Sequence, residues 1–142
     1  MNEKEQTTLN RIFSAAFQEF LEKGYQSASL RNIVKMAGVT TGALYGYYKS
    51  KEELFEALVG KHYNFLLDRF CKAQKEFAET PPEEQSDKLT STSGECMYEM
   101  LLYAYDHLNE CKLILCKSEG TRFSSLIDKM VEIETKGTHD YL

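Results

Sequence analysis

Residues 9–21 impose the first constraint. Leu9, Ile12, Phe13, Ala16, Phe17, Phe20 and Leu21 follow one another at i, i+3, i+4, i+7, i+8, i+11 and i+12, a single apolar stripe at the period of an α-helix. The only two prolines of the chain are adjacent, Pro81 and Pro82, so little else along 142 residues breaks a helical hydrogen-bond ladder. The pattern predicts an all-α fold. Its first helix covers about 4–23, with Gly24 as a left-handed cap.

Capping residues then punctuate the chain. Ser29 can cap a helix that begins at Leu30 and buries Leu30, Ile33, Val34 and Ala37. Gly38 supplies the tight turn that ends it. Thr40 is a second cap, and Thr41 to Tyr48 form another short helix, with Val39, Leu44 and Tyr48 facing back. Two short helices joined by a glycine turn and resting on a longer one make a helix-turn-helix. Ser50-Lys51-Glu52-Glu53 has the S-x-x-E form of a capping box and opens a long helix over about 51–78. Residues 79–87 (ETPPEEQSD) read as an acidic connecting loop. A fifth helix follows over about 88–109, with Cys96, Met97, Met100, Leu101, Ala104, Tyr105 and Leu108 inward. A short helix around Leu113-Ile114-Leu115 and a last one from about Thr121 complete a bundle of about four helices. The division falls into a helix-turn-helix domain over 1–50 and a partial helical domain over 51–142.

A helix-turn-helix reads DNA with its second helix, which lies in the major groove. Here that helix shows a small, polar face of Thr41, Gly42, Ala43 and Gly46, which lets its backbone sit deep. Tyr45 and Tyr47 can reach phosphates or thymine methyls, Lys49 and Lys51 flank the helix end, and Arg31 sits in the first turn of the preceding helix. Charge agrees: residues 1–51 carry seven Lys/Arg against four Asp/Glu, whereas residues 52–142 carry ten against eighteen. Phosphate contacts favour the first part, and like charge keeps the second off DNA.

The run from Ser29 to Leu54 (SLRNIVKMAGVTTGALYGYYKSKEEL) closely resembles the DNA-binding signature of the TetR family of transcriptional repressors. It carries the capping serine, Ile33, Ala37-Gly38-Val39, Thr40, Gly42, Leu44-Tyr45, an aromatic at Tyr48 and then Lys49-Ser50-Lys51-Glu52-Glu53-Leu54. The resemblance implies a double-stranded DNA operator, touched by Arg31, Thr40, Thr41, Gly42, Tyr45, Tyr47, Lys49 and Lys51; Ser29, at the helix cap, and Ala43, on the small exposed face, complete the candidate DNA-binding set. Leu44 and Tyr48 would pack beneath. Tyr48 stands where the family more often has Phe, so its hydroxyl needs an outlet, and Gly46 stands where many members have a larger residue. The family also continues with two long helices that form the subunit interface. This chain stops in what reads as the seventh helix, so the expectation is either a truncated form or a protein that dimerises by another route, with a homodimer expected if those helices are present.

The resemblance further implies an effector pocket in the bundle. Leu66, Phe70, Met97, Leu101, Tyr105, Phe123 and Ile127 are its candidate lining, suited to an apolar or aromatic small molecule, with ordinary core packing as the plainer role of each. The expected function is a repressor released from its operator by that effector. The competing reading is a truncated helical interaction module with weak or lost DNA regulation. Cys71, Cys96, Cys111 and Cys116 form no C-x-x-C pair and read as reduced thiols. His62 and His107 have no ligand spacing in sequence, so neither metal nor cofactor is expected. No catalytic motif occurs, which argues against an enzyme. No stretch approaches 18 apolar residues, and the acidic N-terminus does not resemble a secretory signal. The expectation is therefore a cytoplasmic protein without a membrane partner.

Overall fold

The computed structural model describes residues 2–141. Among them there are helices and no strands, as the sequence pattern predicts. The order is α1 (Glu3–Ser27), α2 (Leu30–Ala37), α3 (Thr41–Tyr47), α4 (Lys51–Glu79), α5 (Pro82–Asp106), α6 (Leu108–Cys116), a 3-10 turn (Arg122–Ser125) and α7 (Leu126–Tyr141). No helix among the described residues is long and apolar enough to cross a membrane.

The stripe on α1 buries Leu9, Ile12, Ala16 and Phe20 against α2, α4 and α6. Gly24 breaks the helix with φ 78° and ψ 165°. The positive φ is as expected, but the extended ψ lies outside the left-handed helical well, in a region that is essentially glycine's alone. One further helical turn then reaches Ser27. The carbonyls left free at this end are satisfied from elsewhere in the fold. Lys51 Nζ donates to Gln26 O at 3.1 Å and Ala28 O at 3.3 Å, and sits 4.7 Å from the centre of the Tyr25 ring.

Two sequence expectations need correction in the second half. Residues 79–87 are not a loop: α5 begins at Pro82. Proline fits the first helical position, where no intrahelical N–H bond is lost, and Glu83 and Glu84 suit the positive end of the helix. Second, Met97, Leu101, Tyr105 and Leu108 do not face inward. They are 57, 61, 73 and 62% exposed; Leu108 falls in α6, and Met97, Leu101 and Tyr105 with Tyr98 and Leu102 form an apolar stripe on the outside of α5. The inner face is Cys96, Met100, Tyr103, Ala104 and His107. Residues 96–105 are apolar on most sides apart from Glu99, so polar partners choose the orientation of this half of the helix. The Tyr103 hydroxyl lies 2.7 Å from His62 Nδ1 on α4, and its ring stacks on Phe65 at 3.9 Å.

A single hydrophobic core runs through all of this. Ile12, Phe20, Ile33, Leu44, Leu54, Phe55, Leu113, Ile114, Phe123 and Leu126 belong to one cluster. Phe20 meets Phe55 edge-on at 5.0 Å, and Phe123 meets both Phe55 and Tyr63, at 5.9 and 5.1 Å. The core therefore crosses residue 50 without a break.

Candidate nucleic-acid interface

The geometry of α2, α3 and the turn between them follows from local side chains. Ser29 Oγ accepts from the N–H of Asn32 at 3.3 Å, and Thr40 Oγ1 accepts from the N–H of Ala43 at 3.0 Å. Gly38 adopts φ 67° and ψ 34°. From there its N–H bonds Lys35 O and the N–H of Val39 reaches Val34 O, which closes α2. A Cβ on Gly38 would lie 2.5 Å from Arg11 Nη2, which donates to the carbonyl of Gly38 at 3.0 Å. Beneath the turn, Ile33, Val34, Ala37 and Leu44 are buried.

Glu19 is the residue that sequence reasoning missed. Its carboxylate, on α1, is 2% exposed. It accepts from the N–H of Ser29 at 2.8 Å, from Asn32 Nδ2 at 3.3 Å and from Lys23 Nζ at 3.2 Å. Burial pushes its pKa up, but these three donors outweigh burial and hold it below the usual carboxylate value. A glutamate set among Ala15, Ala16 and Phe20 was the available signal.

The predicted contact residues divide by exposure. Arg31, Thr40, Thr41, Gly42, Tyr45 and Lys49 are exposed, whereas Ser29, Ala43, Tyr47 and Lys51 are half-buried. Tyr47 packs against the core, and the Lys51 ammonium is held on the end of α1. Tyr48 lies against Phe13 with rings 6.0 Å apart, and burial raises its phenol pKa. Both α3 glycines face open space. A Cβ on Gly46 would meet nothing within 4 Å, and one on Gly42 only Thr40 Oγ1, at 4.0 Å. No internal contact requires either to be glycine.

The junction to α4 is short. Ser50 Oγ accepts from the N–H of Glu53 at 3.1 Å. The Glu53 carboxylate accepts from the N–H of Lys49 at 2.7 Å, one residue earlier than an ordinary capping box. The backbone of Lys49 is thereby fixed while its side chain stays exposed.

The seven residues expected to line an effector pocket do not converge. Leu66 and Phe123 are buried in the shared core and Phe70 is half-buried, while Met97, Leu101, Tyr105 and Ile127 are exposed. The clearest cleft of the bundle, about 250 Å³, lies elsewhere, between Gln74 and Phe77 of α4, Leu89 of α5 and Glu134 of α7. All four cysteines are free thiols, Cys96 and Cys111 buried and Cys71 and Cys116 exposed.

Known proteins place the head. The model of the family described as bacterial regulatory proteins, tetR family, matches residues 12–58. Over these residues the chain is similar to the tetR-family head. The transcriptional regulator UidR of Escherichia coli K12 is 37% identical to this chain over 70 residues, covering 49% of the chain and 36% of UidR. TtgR of Pseudomonas putida, also an HTH-type transcriptional regulator, is 30% identical over 106 residues, covering 75% of the chain and 45% of TtgR. The chain thus spans less than half the length of these relatives. A crystal structure of a transcriptional regulator (TerR/AcrR family) from Aquifex aeolicus VF5 superimposes with a TM-score of 0.57 at 26% identity, covering 94% of this chain and 72% of that one. The likeness in fold therefore extends over the helical bundle as well as the head.

Proposed function

We propose that this chain is a DNA-binding transcriptional regulator, acting as a repressor that an effector releases from its operator. Residues 1–50 are the reading head and residues 51–142 the sensing body, in a homodimer that spans two half-sites. The observation that carries the reading is the outer face of α3. Two glycines in a seven-residue helix lower its stability by about 1 kcal/mol each relative to alanine, yet no side chain inside the protein needs the room. The room is on the outside, where a groove wall would approach the helix backbone.

In this reading α3 enters the major groove. Thr41, Gly42, Ala43 and Tyr45 meet base edges, and Arg31, Thr40, Tyr47 and Lys49 meet phosphates. Ser29 and Lys51 act by holding the ends of α2 and α1. Release works through α4, which starts three residues after α3 ends and shares its core with α1, so a tilt of α4 moves the head. Leu66, Phe70 and Phe123 support an effector seat from the inside. Met97, Leu101, Tyr105 and Ile127 contribute only where another surface covers them. A regulator of this kind works on the cytoplasmic chromosome and needs no catalytic group.

The test is fluorescence anisotropy on DNA from upstream of the chain's own gene and its neighbours. Saturable binding that survives excess random DNA is expected. Equal affinity for all sequences, together with a monomer by light scattering, would instead favour the helical interaction module.

A further inference from the structure

Three groups from two stretches of the chain 45 residues apart meet behind the head. His62 comes from the middle of α4 and is 4% exposed. His107 sits at the break between α5 and α6, and Glu110 lies in the first turn of α6. One ligand atom from each falls within 4.8 Å of the other two. The His62 and His107 rings are 4.7 Å apart, centre to centre.

We infer that His62, His107 and Glu110 form a binding site for a divalent first-row transition metal of the zinc class, which ties α4 to the α5–α6 joint.

The donor set fits this ion and not the harder ones. Two imidazole nitrogens and one carboxylate oxygen suit Zn²⁺, Co²⁺ or Ni²⁺, whereas Mg²⁺ and Ca²⁺ take oxygen. Three protein ligands leave a fourth position for water. On a tetrahedral ion with bonds of about 2.1 Å, ligand atoms lie about 3.4 Å apart. Side-chain rotation has only to close the present spacing by about 1.4 Å at most.

The surroundings hold the ligands in place. Tyr103 Oη, 2.7 Å from His62 Nδ1, accepts from Nδ1–H in the tautomer that leaves Nε2 its lone pair. Stacking on Phe65 fixes the Tyr103 ring. His107 stands at the N-cap position of α6 and Glu110 lies in its first turn, so the two are close along the chain. The break at His107 (φ −133°, ψ 50°) has neither glycine nor proline beside it, and no side chain caps α6 there. That break places the His107 ring beside His62 and Tyr103.

The inference stands apart from the DNA-binding reading and is tested without DNA. The 142-residue chain is titrated with Co²⁺ while its visible ligand-field absorption is followed, and Zn²⁺ is then added as competitor. One saturating equivalent, displaced by Zn²⁺, is expected. His107→Gln and Glu110→Gln, both at half-buried positions, should each weaken binding at least tenfold. Tyr103→Phe should weaken it by about tenfold through the lost orienting bond. Zn²⁺ should raise the melting temperature of the unmodified chain and not that of His107→Gln. The proposal is overturned if no saturable absorption develops. It is equally overturned if the absorption persists in His107→Gln and disappears when Cys71 and Cys116 are replaced by serine.

Discussion

The carboxylate of Glu19 accepts a hydrogen bond from the backbone N–H of Ser29 at 2.8 Å. A buried charge on α1 thus holds the first residue of the helix-turn-helix, and Asn32 and Lys23 complete its shell. A charge-assisted bond of this kind contributes about 1.5–3 kcal/mol. Glu19→Ala should lower stability by about that amount and loosen α2. The folded pKa is depressed below 4.5, so the contribution is fully present above the unfolded value and is lost as pH falls through the folded one. Urea unfolding at neutral pH and at successive values below 4.5 should show this loss, and Glu19→Gln should flatten the slope.

Gly42→Ala and Gly46→Ala separate folding from recognition. Each removes a helix-destabilising residue where a Cβ has room, so each should stabilise the protein by about 0.5–1 kcal/mol. Each should also weaken operator binding, because the new methyl stands between α3 and the groove. Thermal melts and anisotropy on the same samples give both signs. A variant that is more stable with unchanged affinity would show that α3 does not approach DNA closely at that position.

Lys49 and Lys51, two residues apart, should respond differently. Lys49→Ala should weaken binding to all sequences alike and reduce the salt slope by about one, with little effect on stability. Lys51→Ala removes the donor to Gln26 O and Ala28 O and should cost about 1–3 kcal/mol of stability. Salt-dependent titrations paired with chemical denaturation distinguish the two roles.

The outward stripe on α5 makes Leu101→Lys and Tyr105→Lys informative. Both side chains are mostly exposed, so each change should shift stability by less than about 0.5 kcal/mol. A buried leucine replaced by lysine would lower it by several kcal/mol. Denaturant midpoints decide between the two, and light scattering reports whether the apolar stripe promotes self-association.

The head was readable because single residues announce each of its turns. Ser29, Gly38, Thr40 and Ser50 act on backbone groups within a few positions of themselves. The bundle was not readable in the same way. Between Met97 and Tyr105 helix α5 is apolar except at Glu99, so periodicity could not choose its inner face. That choice rests on the contact between Tyr103 and His62, 41 residues away. By sequence Pro82 reads as a loop residue, because proline breaks a helix interior, whereas here it opens one. Glu19 and the trio of His62, His107 and Glu110 depend on elements distant in sequence, and spacing along the chain carries little trace of either.

The chain of aromatic contacts from Phe20 through Phe55 to Phe123 has a thermodynamic consequence. The head and the start of α7 share one core, so they should unfold as one cooperative unit. Any ligand that favours the folded state should then raise the free energy of their joint opening. Amide protons in α2 and α4 would then exchange more slowly when something binds far from them. Each end of the protein would report, by its rate of exchange, on what the other end holds.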